Sequence, residues 1–334
     1  MKIERIEATA NVVTVSAGGL TSALPGSAKL PLVLPLLEEL VVPFAVGREV
    51  GDVAGFVDGV YRHQRNYKWS GAAFWLAVAH VEVALWDLLG QAAGKPVCAL
   101  LGEVRRERVP VYLSSMRRDN TGEAEAARMA EACAAVGARA AKVKIGGRMS
   151  RDADASPGRS EAVVRATRRA LGDGATLYVD ANGSYSAGCA IDVAAMLADH
   201  GVAWFEEPCE WEEVEAVRRV TDAGLLPVAA GEQECRASVF RWMCEHRGVD
   251  VVQADPYYNG GLLRTLRVAE LAAAAGLGFS PHSPQPESLR ASVQLLAVLG
   301  NATPFLEYHV DRDLSPIKGG EIAVPMVPGL GEVV

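Results

Sequence analysis

Short apolar runs rich in β-branched residues alternate with longer amphipathic, alanine-rich stretches along most of the chain from Val109 onward. This alternation is typical of parallel strands joined by crossover helices. It predicts eight strands, at Val109–Leu113, Ala140–Ile145, Thr176–Asp180, Ala203–Glu206, Pro227–Glu232, Val251–Ala254, Gly278–Pro281 and Phe305–Tyr308. It predicts seven helices between them, near Glu123–Val136, Ser160–Leu171, Ala187–His200, Trp211–Thr221, Ser238–His246, Leu262–Ala275 and Pro286–Leu299. This α/β pattern favours a closed barrel over an open sheet.

The residues before Val109 follow a different pattern. An opening strand is predicted around Lys2–Val15, then a loop rich in Gly, Pro and Ser at Ser16–Ser27, then helices that include Trp75–Gly90. After the eighth strand, the apolar pieces are too short for a core of their own, so we expect them to pack onto the N-terminal unit. The predicted domains are therefore an α+β unit (residues 1–108), a barrel (residues 109–309) and a returning tail (residues 310–334).

One long irregular segment, Gly146 to Arg159, follows the second predicted strand. Loops of this length in compact domains are usually functional or mobile. Arg148 within it is therefore a candidate substrate contact, although a solvent-exposed surface loop would have the same composition.

The composition limits the classes of function. Half of the 334 residues are hydrophobic and 22% are charged, as in soluble globular proteins. A formal net charge of -8 disfavours nucleic acids and anionic membranes as partners. Apolar runs such as Leu30–Leu37 are too short to span a bilayer, and the N-terminus lacks the apolar region of a secretory signal. We therefore expect a cytoplasmic protein that acts on a small molecule.

The six cysteines are scattered along the chain without a CxxC motif. This spacing favours buried thiols over a disulfide framework or a zinc site. No GxSxG, HExxH or GxxxxGK[ST] motif is present either, so these nucleophile, metalloprotease and phosphate-binding systems are excluded.

Polar side chains stand at the carboxyl ends of the predicted barrel strands, where barrel enzymes carry their active sites. In strand order they are Lys142 and Lys144, Asp180 followed by Asn182, Glu206 and Glu207, Glu232, Asp255, His282, and Glu307. Carboxylates from the third, fourth and fifth strands would repel one another at one barrel mouth unless a cation lay between them. Oxygen ligands select a hard cation, so the pattern predicts Mg²⁺. One such acid alone would be better explained as a solvated strand end.

Lys142 and Lys144 are two residues apart, so a strand points both side chains into the barrel mouth. A lysine acts as a base only if its pKa is depressed, and a second ammonium group and a nearby dication favour this for one of the pair. Lysines that protect a strand edge are the alternative, but a central barrel strand has no free edge.

His282 follows the seventh strand, and Asp255 ends the sixth. A lone histidine is more often a structural residue than a catalytic one. An aspartate on the preceding strand changes this, because its carboxylate would fix the imidazole tautomer and raise its basicity.

The order and spacing of these residues resemble the mandelate racemase branch of the enolase superfamily. The resemblance rests on KxK, an aspartate before Ala-Asn, Glu-Glu-Pro, Gly-Glu, an Asp and a His on consecutive strands, and a final glutamate. The segment Val83–Gly90, with the following Gly-Lys-Pro and Leu-Leu-Gly, resembles the helix that closes that family's capping domain. The implied fold is a (β/α)7β TIM-like barrel with an α+β capping domain formed by the N-terminal segment and the C-terminal tail. We also expect a homo-oligomer.

The resemblance implies a role for each residue. Asp180, Glu206 and Glu232 would bind one Mg²⁺, Glu206 being preferred to Glu207 because the family uses the first acid of the pair. Lys144 would be a catalytic base beside Lys142, Asp255–His282 an acid/base dyad on the opposite face, and a protonated Glu307 a hydrogen-bond donor to the substrate carboxylate. Specificity would come from capping loops at Ser16–Ser27, the predicted lid, and around Lys68 and Trp69, with Asn182 as a further contact.

The implied chemistry is removal of a proton alpha to a carboxylate through an enediolate intermediate. Dehydration of a sugar acid to a 2-keto-3-deoxy acid is the favoured reaction, because most relatives with both KxK and His–Asp act on polyhydroxy acids. Racemisation or epimerisation, and lactone cycloisomerisation, remain alternatives. A barrel scaffold or binding protein without activity is a more remote one, since such a protein would lack some of these residues.

Overall fold

The N-terminal unit of the computed structural model, which describes residues 1–283 and 286–333, begins with an antiparallel sheet. Its strands are β1 (Ile3–Ala8), β2 (Val12–Ala17) and β3 (Leu20–Pro25), in the order β1-β2-β3. The single strand predicted at Lys2–Val15 is thus two strands, and half of the predicted loop Ser16–Ser27 is β3, while its first two residues end β2. Gly18 and Gly19, with φ of 56° and 77°, form the tight turn between β2 and β3.

The helices of this unit pack over the sheet. They are α1 (Leu30–Leu36), a π-helical turn (Leu37–Val41), α2 (Val42–Ala45), α3 (Val53–Arg62), a 3-10 helix (His63–Trp69), α4 (Ala72–Ala93) and α5 (Val97–Leu101). The predicted helix Trp75–Gly90 is the middle of α4. This helix is long and apolar enough to cross a membrane, but 78% of its apolar window is buried inside the fold. It packs against α1, β2 and β3, so its apolar surface is accounted for by the core.

The described part of the chain contains eight strands that form a curled parallel sheet. They are β4 (Arg108–Ser114), β5 (Ala140–Lys144), β6 (Thr176–Asp180), β7 (Trp204–Glu206), β8 (Val228–Ala230), β9 (Val251–Val252), β10 (Gly278–Phe279) and β11 (Leu306–His309). Their order is β10-β9-β8-β7-β6-β5-β4-β11. A parallel bridge between Phe279 and Ala302, just before β11, joins the two ends. The predicted barrel is therefore confirmed.

A helix follows each of the first seven barrel strands. These helices are α6 (Gly122–Val136), α7 (Arg159–Leu171), α8 (Ala187–Asp199), α9 (Val214–Asp222), α10 (Ala237–Glu245), α11 (Leu262–Ala274) and α12 (Pro286–Leu296). Each coincides with a predicted helix to within a few residues. The barrel floor is an aromatic layer of Tyr112, Tyr178 and Trp204, in which the last two rings stack with centroids 3.6 Å apart. This layer closes the barrel from below, so the side chains above it face the carboxyl ends of the strands.

The C-terminal tail contacts both the barrel and the N-terminal unit. Its strand β12 (Glu321–Ala323) pairs antiparallel with the start of β4. Further on, the Leu330 backbone N–H donates to Asp87 Oδ1 of α4 at 2.8 Å. A Cβ at Gly329 would lie only 2.3 Å from that oxygen, so glycine permits the close approach. The tail thus packs onto the N-terminal unit, as expected, after first extending the barrel sheet.

Candidate active site and metal centre

Strand register positions the first row of site residues. Lys144 on β5 pairs with Asp180 on β6, and Asp180 pairs with Glu206 on β7. Because partners in register point to the same side of a sheet, the three side chains lie side by side at the barrel mouth. Glu232 follows β8, and Asp255, His282 and Glu307 complete the ring from β9, β10 and β11, as listed in strand order above.

Asp180, Glu206 and Glu232 form a compact buried group. One carboxylate oxygen from each lies within 4.8 Å of the other two. Burial raises the pKa of Glu206, and the neighbouring carboxylates add to this against the opposing effect of Lys142. For Asp180, burial is outweighed by Lys144 and Lys142, which lower its pKa to about 2. Three buried oxygen donors that repel one another are the donor set that Mg²⁺ prefers, so these residues fit the ion.

Each of the three carboxylates accepts one hydrogen bond from a side-chain amide. Asn182 Nδ2 donates to Asp180 Oδ2 at 3.1 Å. Gln253 Nε2 donates to Glu206 Oε2 at 2.8 Å, and Gln233 Nε2 donates to Glu232 Oε1 at 2.9 Å. These neutral donors orient the carboxylates without adding charge, as outer contacts of metal ligands commonly do.

The two lysines of β5 contact this group from one side. The Lys144 ammonium donates to Asp180, and the Lys142 ammonium donates to Glu206 and lies 2.8 Å from Glu307 Oε1. Burial acts to lower the pKa of Lys142, but the charges of Glu206 and Glu307 raise it well above its ordinary value. Lys142 is therefore a permanent positive charge, and the depressed pKa expected for one of the pair is not found there.

Glu307 differs from the sequence-based expectation in its charge. We predicted a protonated carboxyl group. Burial does favour protonation, but Lys142 and His282 outweigh it and hold the pKa of Glu307 well below its ordinary value. Glu307 is thus a carboxylate whose charge is neutralised locally by Lys142, and it has no proton to donate to a substrate.

His282 and Asp255 lie together on the other side of the barrel mouth. His282 Nδ1 lies 2.8 Å from Asp255 Oδ2, and Asp255 Oδ1 accepts from the backbone N–H groups of Tyr257 and Tyr258 at 2.7 and 3.0 Å. His282 Nε2 lies 3.4 Å from Glu232 Oε2. Burial opposes the charged ring, but Glu232 and Asp255 raise the pKa of His282 to about 10. The ring is held in the protonated form suited to a general acid.

Glu207 lies behind Asn182 and outside the three-carboxylate group. Asn182 Nδ2 reaches Glu207 Oε2 at 3.2 Å, and Asn182 Oδ1 accepts from Arg118 Nη2 at 2.9 Å and from Arg148 Nη2 at 3.5 Å. Asn182 and Glu207 both have left-handed backbones, with φ of 44° and 42°. Such strain in residues other than glycine is often found at functional sites. Burial, with Glu232 and Asp180, raises the pKa of Glu207 well above its ordinary value.

A cavity of about 420 Å³ opens at this mouth. Its lining includes six of the predicted residues, which are Lys144, Arg148, Asn182, Glu232, His282 and Glu307. Lys142, Asp180, Glu206 and Asp255 are buried behind its wall.

Lys68 and Trp69 are not among the lining residues, contrary to expectation. They end the 3-10 helix packed against α3, where Trp69 is 64% exposed. The predicted lid Ser16–Ser27 does not reach the cavity as a loop, because most of it lies in strands β2 and β3. Only the chain just beyond β3 reaches the lining, through Lys29.

The cavity also contains residues that the sequence did not single out. They are Lys29, Met116, Met149, Gly183, Trp211, Gln233, Tyr258 and His309; Glu207, which the sequence did place at the end of the fourth strand, lines the cavity with them. A signal existed for His309, which lies two residues after Glu307 and so points to the same face of β11. The same spacing places Gln253 two residues before Asp255. No sequence signal could have identified Lys29, because its ammonium reaches the barrel residue Tyr258 across 229 positions of the chain.

Comparison with known proteins agrees with this geometry. Residues 124–334 match the family described as enolase C-terminal domain-like. The arabinonate dehydratase of Saccharolobus solfataricus is 26% identical over 88% of this chain and 79% of its own length. The D-galactarolactone cycloisomerase of Agrobacterium fabrum is 31% identical over 76% of this chain and 70% of its own length.

A solved structure shows the same architecture. The mandelate racemase/muconate lactonizing protein of Paracoccus denitrificans, complexed with magnesium, aligns with a TM-score of 0.90 over 100% of this chain and 95% of its own, at 30% identity. Together with the family match over most of the chain, these similarities confirm the resemblance found in the sequence. The chain is therefore an enzyme of the enolase superfamily and belongs to its mandelate racemase branch.

Proposed function

We propose that this protein removes the proton alpha to a carboxylate with the help of one Mg²⁺ and dehydrates a sugar acid to a 2-keto-3-deoxy acid. The observation that carries the proposal is the arrangement of Lys144 and the His282–Asp255 pair around one cavity. β5 and β10 are the second and seventh of the eight barrel strands. The two groups therefore approach a bound planar group from different sides, with the three-carboxylate group on the strands between them.

Asp180, Glu206 and Glu232 would hold the Mg²⁺. When bound, the ion would hold the substrate carboxylate and stabilise the negative charge that develops on it. Lys142 would add a fixed positive charge behind the cavity wall, because its ammonium is locked between Glu206 and Glu307. Charge placed in advance in this way lowers the cost of forming an enediolate.

The proton transfers involve residues of the chain itself. In its neutral form, Lys144 Nζ takes the α-proton, and the electrons of the broken C–H bond form the enediolate. His282 Nε2 then gives a proton to the hydroxyl group on the β-carbon, which leaves as water while the electrons form a carbon–carbon double bond. The resulting enol takes up a proton at carbon and loses the proton of its hydroxyl group to give the 2-keto acid. Asp255 keeps His282 in the required orientation throughout.

An isomerase is the second candidate, and the similarity to a D-galactarolactone cycloisomerase at 31% identity favours it specifically. In an epimerisation the same two groups would serve: one would remove the α-proton, and the other would return a proton to the opposite face of the enediolate. The presence of a hydroxyl group that can leave from the β-carbon would decide between the two outcomes.

The test is a panel of mono- and dicarboxylic sugar acids incubated with the protein and Mg²⁺. Formation of a 2-keto acid would support dehydration. Exchange or inversion at the α-carbon, or loss of a lactone, without 2-keto acid would favour the isomerase. Full turnover after chelation of divalent metals would contradict both, because the three-carboxylate group would then have no role.

Two further expectations belong to this proposal. We propose that the enzyme acts in the cytoplasm, a location that suits its six free cysteines. The predicted homo-oligomer and the domain boundaries at residues 108 and 309 stay predictions, which light scattering and limited proteolysis can check.

A further inference from the structure

His309 is a cavity residue that the proposed proton transfers do not use. It lies on β11 two residues beyond Glu307, so both side chains point into the barrel. It lines the same cavity as Lys144 and His282. Because two residues of a strand span roughly 7 Å, its backbone is about that much nearer the mouth than that of Glu307.

The imidazole has an unused hydrogen-bonding atom. His309 Nε2 is buried and has no hydrogen-bond partner among the described residues. Its partner in register on β4, Ser114, likewise has a buried hydroxyl group without a partner in the described part of the chain. Buried polar atoms in native proteins almost always have partners, so these neighbouring positions require a polar group from a ligand or from solvent.

The charge of the ring narrows the chemistry of that ligand. Burial lowers the pKa of His309 to about 4, and the positive charges of Lys142 and Lys144 act in the same direction against Glu307. A neutral imidazole has one nitrogen that donates and one that accepts. It therefore suits a hydroxyl group, which also donates and accepts, better than a carboxylate, which needs a cationic partner.

We infer that His309 binds a hydroxyl group of the substrate and thereby selects polyhydroxy carboxylates. The inference rests on the proposed function and extends it, since the acid–base residues alone would accept any carboxylate with a removable α-proton. The hydroxyl group would lie near the barrel mouth, because His309 is nearer the mouth than Glu307.

The experiment compares the wild type with His309→Leu and His309→Gln on the sugar acid that the wild type turns over best. The same proteins are then assayed on analogues that each lack one hydroxyl group. We expect His309→Leu to lose about tenfold in kcat/KM, mainly through KM, as is typical for one neutral hydrogen bond. His309→Gln keeps a donor and an acceptor, so it should stay within about threefold of the wild type. His246→Gln, at an exposed histidine after α10, is the matched control.

The analogue that lacks the hydroxyl group bound by His309 should show the same kcat/KM with the wild type and with every variant. This is because the hydrogen bond to His309 is already lost when that hydroxyl group is missing. A loss in His309→Leu of equal size on every analogue would overturn the inference, since it would show a structural role. If the wild type turns over no sugar acid, calorimetric binding of the same polyhydroxy carboxylates with Mg²⁺ replaces turnover. If His309→Leu then weakened binding, the hydroxyl contact would be supported even though the proposed reaction had been refuted. Unchanged binding, or no binding at all, would overturn it.

Discussion

Replacing Asp255 by Asn changes the charge and the hydrogen-bond direction at the His282 pair with little change in shape. Asp255 Oδ1 accepts from two backbone N–H groups, and Oδ2 accepts from His282 Nδ1. An Asn oxygen can keep the two backbone bonds, so its NH2 group must then face Nδ1. The imidazole would be held in the opposite tautomer and would lose the carboxylate that stabilises its protonated form.

The size of the effect follows from that single bond. A buried hydrogen bond to a charged group contributes about 1.5–3 kcal/mol, and each ~1.4 kcal/mol is a factor of ten in rate. We therefore expect Asp255→Asn to lower kcat for dehydration about ten- to a hundredfold. Exchange of the α-proton by Lys144 should persist, because Lys144 contacts Asp180 on the other side of the mouth.

The assay follows 2-keto acid formation and, in deuterated buffer, deuterium incorporation at the α-carbon. Asp250→Asn is the matched control, because Asp250 lies just before β9 at the opposite end of the same strand and accepts from Val228 N–H at 3.0 Å. Dehydration by Asp255→Asn within twofold of the wild type would refute the role of the pair. Equal loss in the Asp250 variant would instead indicate a general effect on the barrel.

Further predictions concern the metal, the two faces and the stability of the fold. Glu232→Gln should abolish turnover and weaken Mg²⁺ binding in calorimetry, and unchanged affinity would remove Glu232 from the metal site. His282→Asn should block dehydration but permit exchange by Lys144, and Lys144→Ala should abolish that exchange; normal dehydration by the His282 variant would make the chemistry one-sided. Burial lowers the pKa of His80 to about 4, so His80 makes the folded state more stable as the pH rises from about 4 to 6.5. Burial raises the pKa of Glu82 to about 7, so Glu82 makes the folded state less stable as the pH rises from about 4.5 to 7. Compared with the wild type between pH 5 and 6.5, urea unfolding should therefore give a slope of stability against pH that is more negative in His80→Gln and more positive in Glu82→Gln, each by at most about 1.4 kcal/mol per pH unit, and slopes equal to that of the wild type would contradict this.

The barrel and the first row of site residues were predictable because both depend on short-range patterns. A parallel strand buried on both faces is a continuous apolar run, and the first polar residue after it marks its carboxyl end. Lys144, Asp180 and Glu206 end three consecutive runs, so parallel topology alone brings them together. The error at Ser16–Ser27 has a local cause: Gly18 and Gly19 suggested a loop, although Ser22 and Leu24 alternate with exposed residues as a strand requires.

Charge states were not predictable, because they depend on distances between residues far apart in the sequence. Glu307 and Lys142 are separated by 165 positions, yet their charged atoms are 2.8 Å apart, and this contact reverses the expected protonation of Glu307. The place of Lys29 at the cavity depends in the same way on how the N-terminal unit sits over the barrel. Neither the periodicity of hydrophobic residues nor the composition predicts the distance between Lys142 and Glu307 or the distance of Lys29 from the cavity.

The contacts of the three-carboxylate group also determine how variants of it must be interpreted. Besides its amide donor, each carboxylate has at least one cationic neighbour: Lys144 and Lys142 at Asp180, Lys142 at Glu206 and His282 at Glu232. Removing a carboxylate therefore takes away a candidate metal ligand and, at the same time, the partner of a proposed acid–base or charge-stabilising group. Loss of activity in such a variant does not by itself separate the two effects. Replacement of an amide donor such as Gln233 leaves every charge in place and changes only the orientation of one carboxylate, so a loss of Mg²⁺ affinity there reports on metal binding alone.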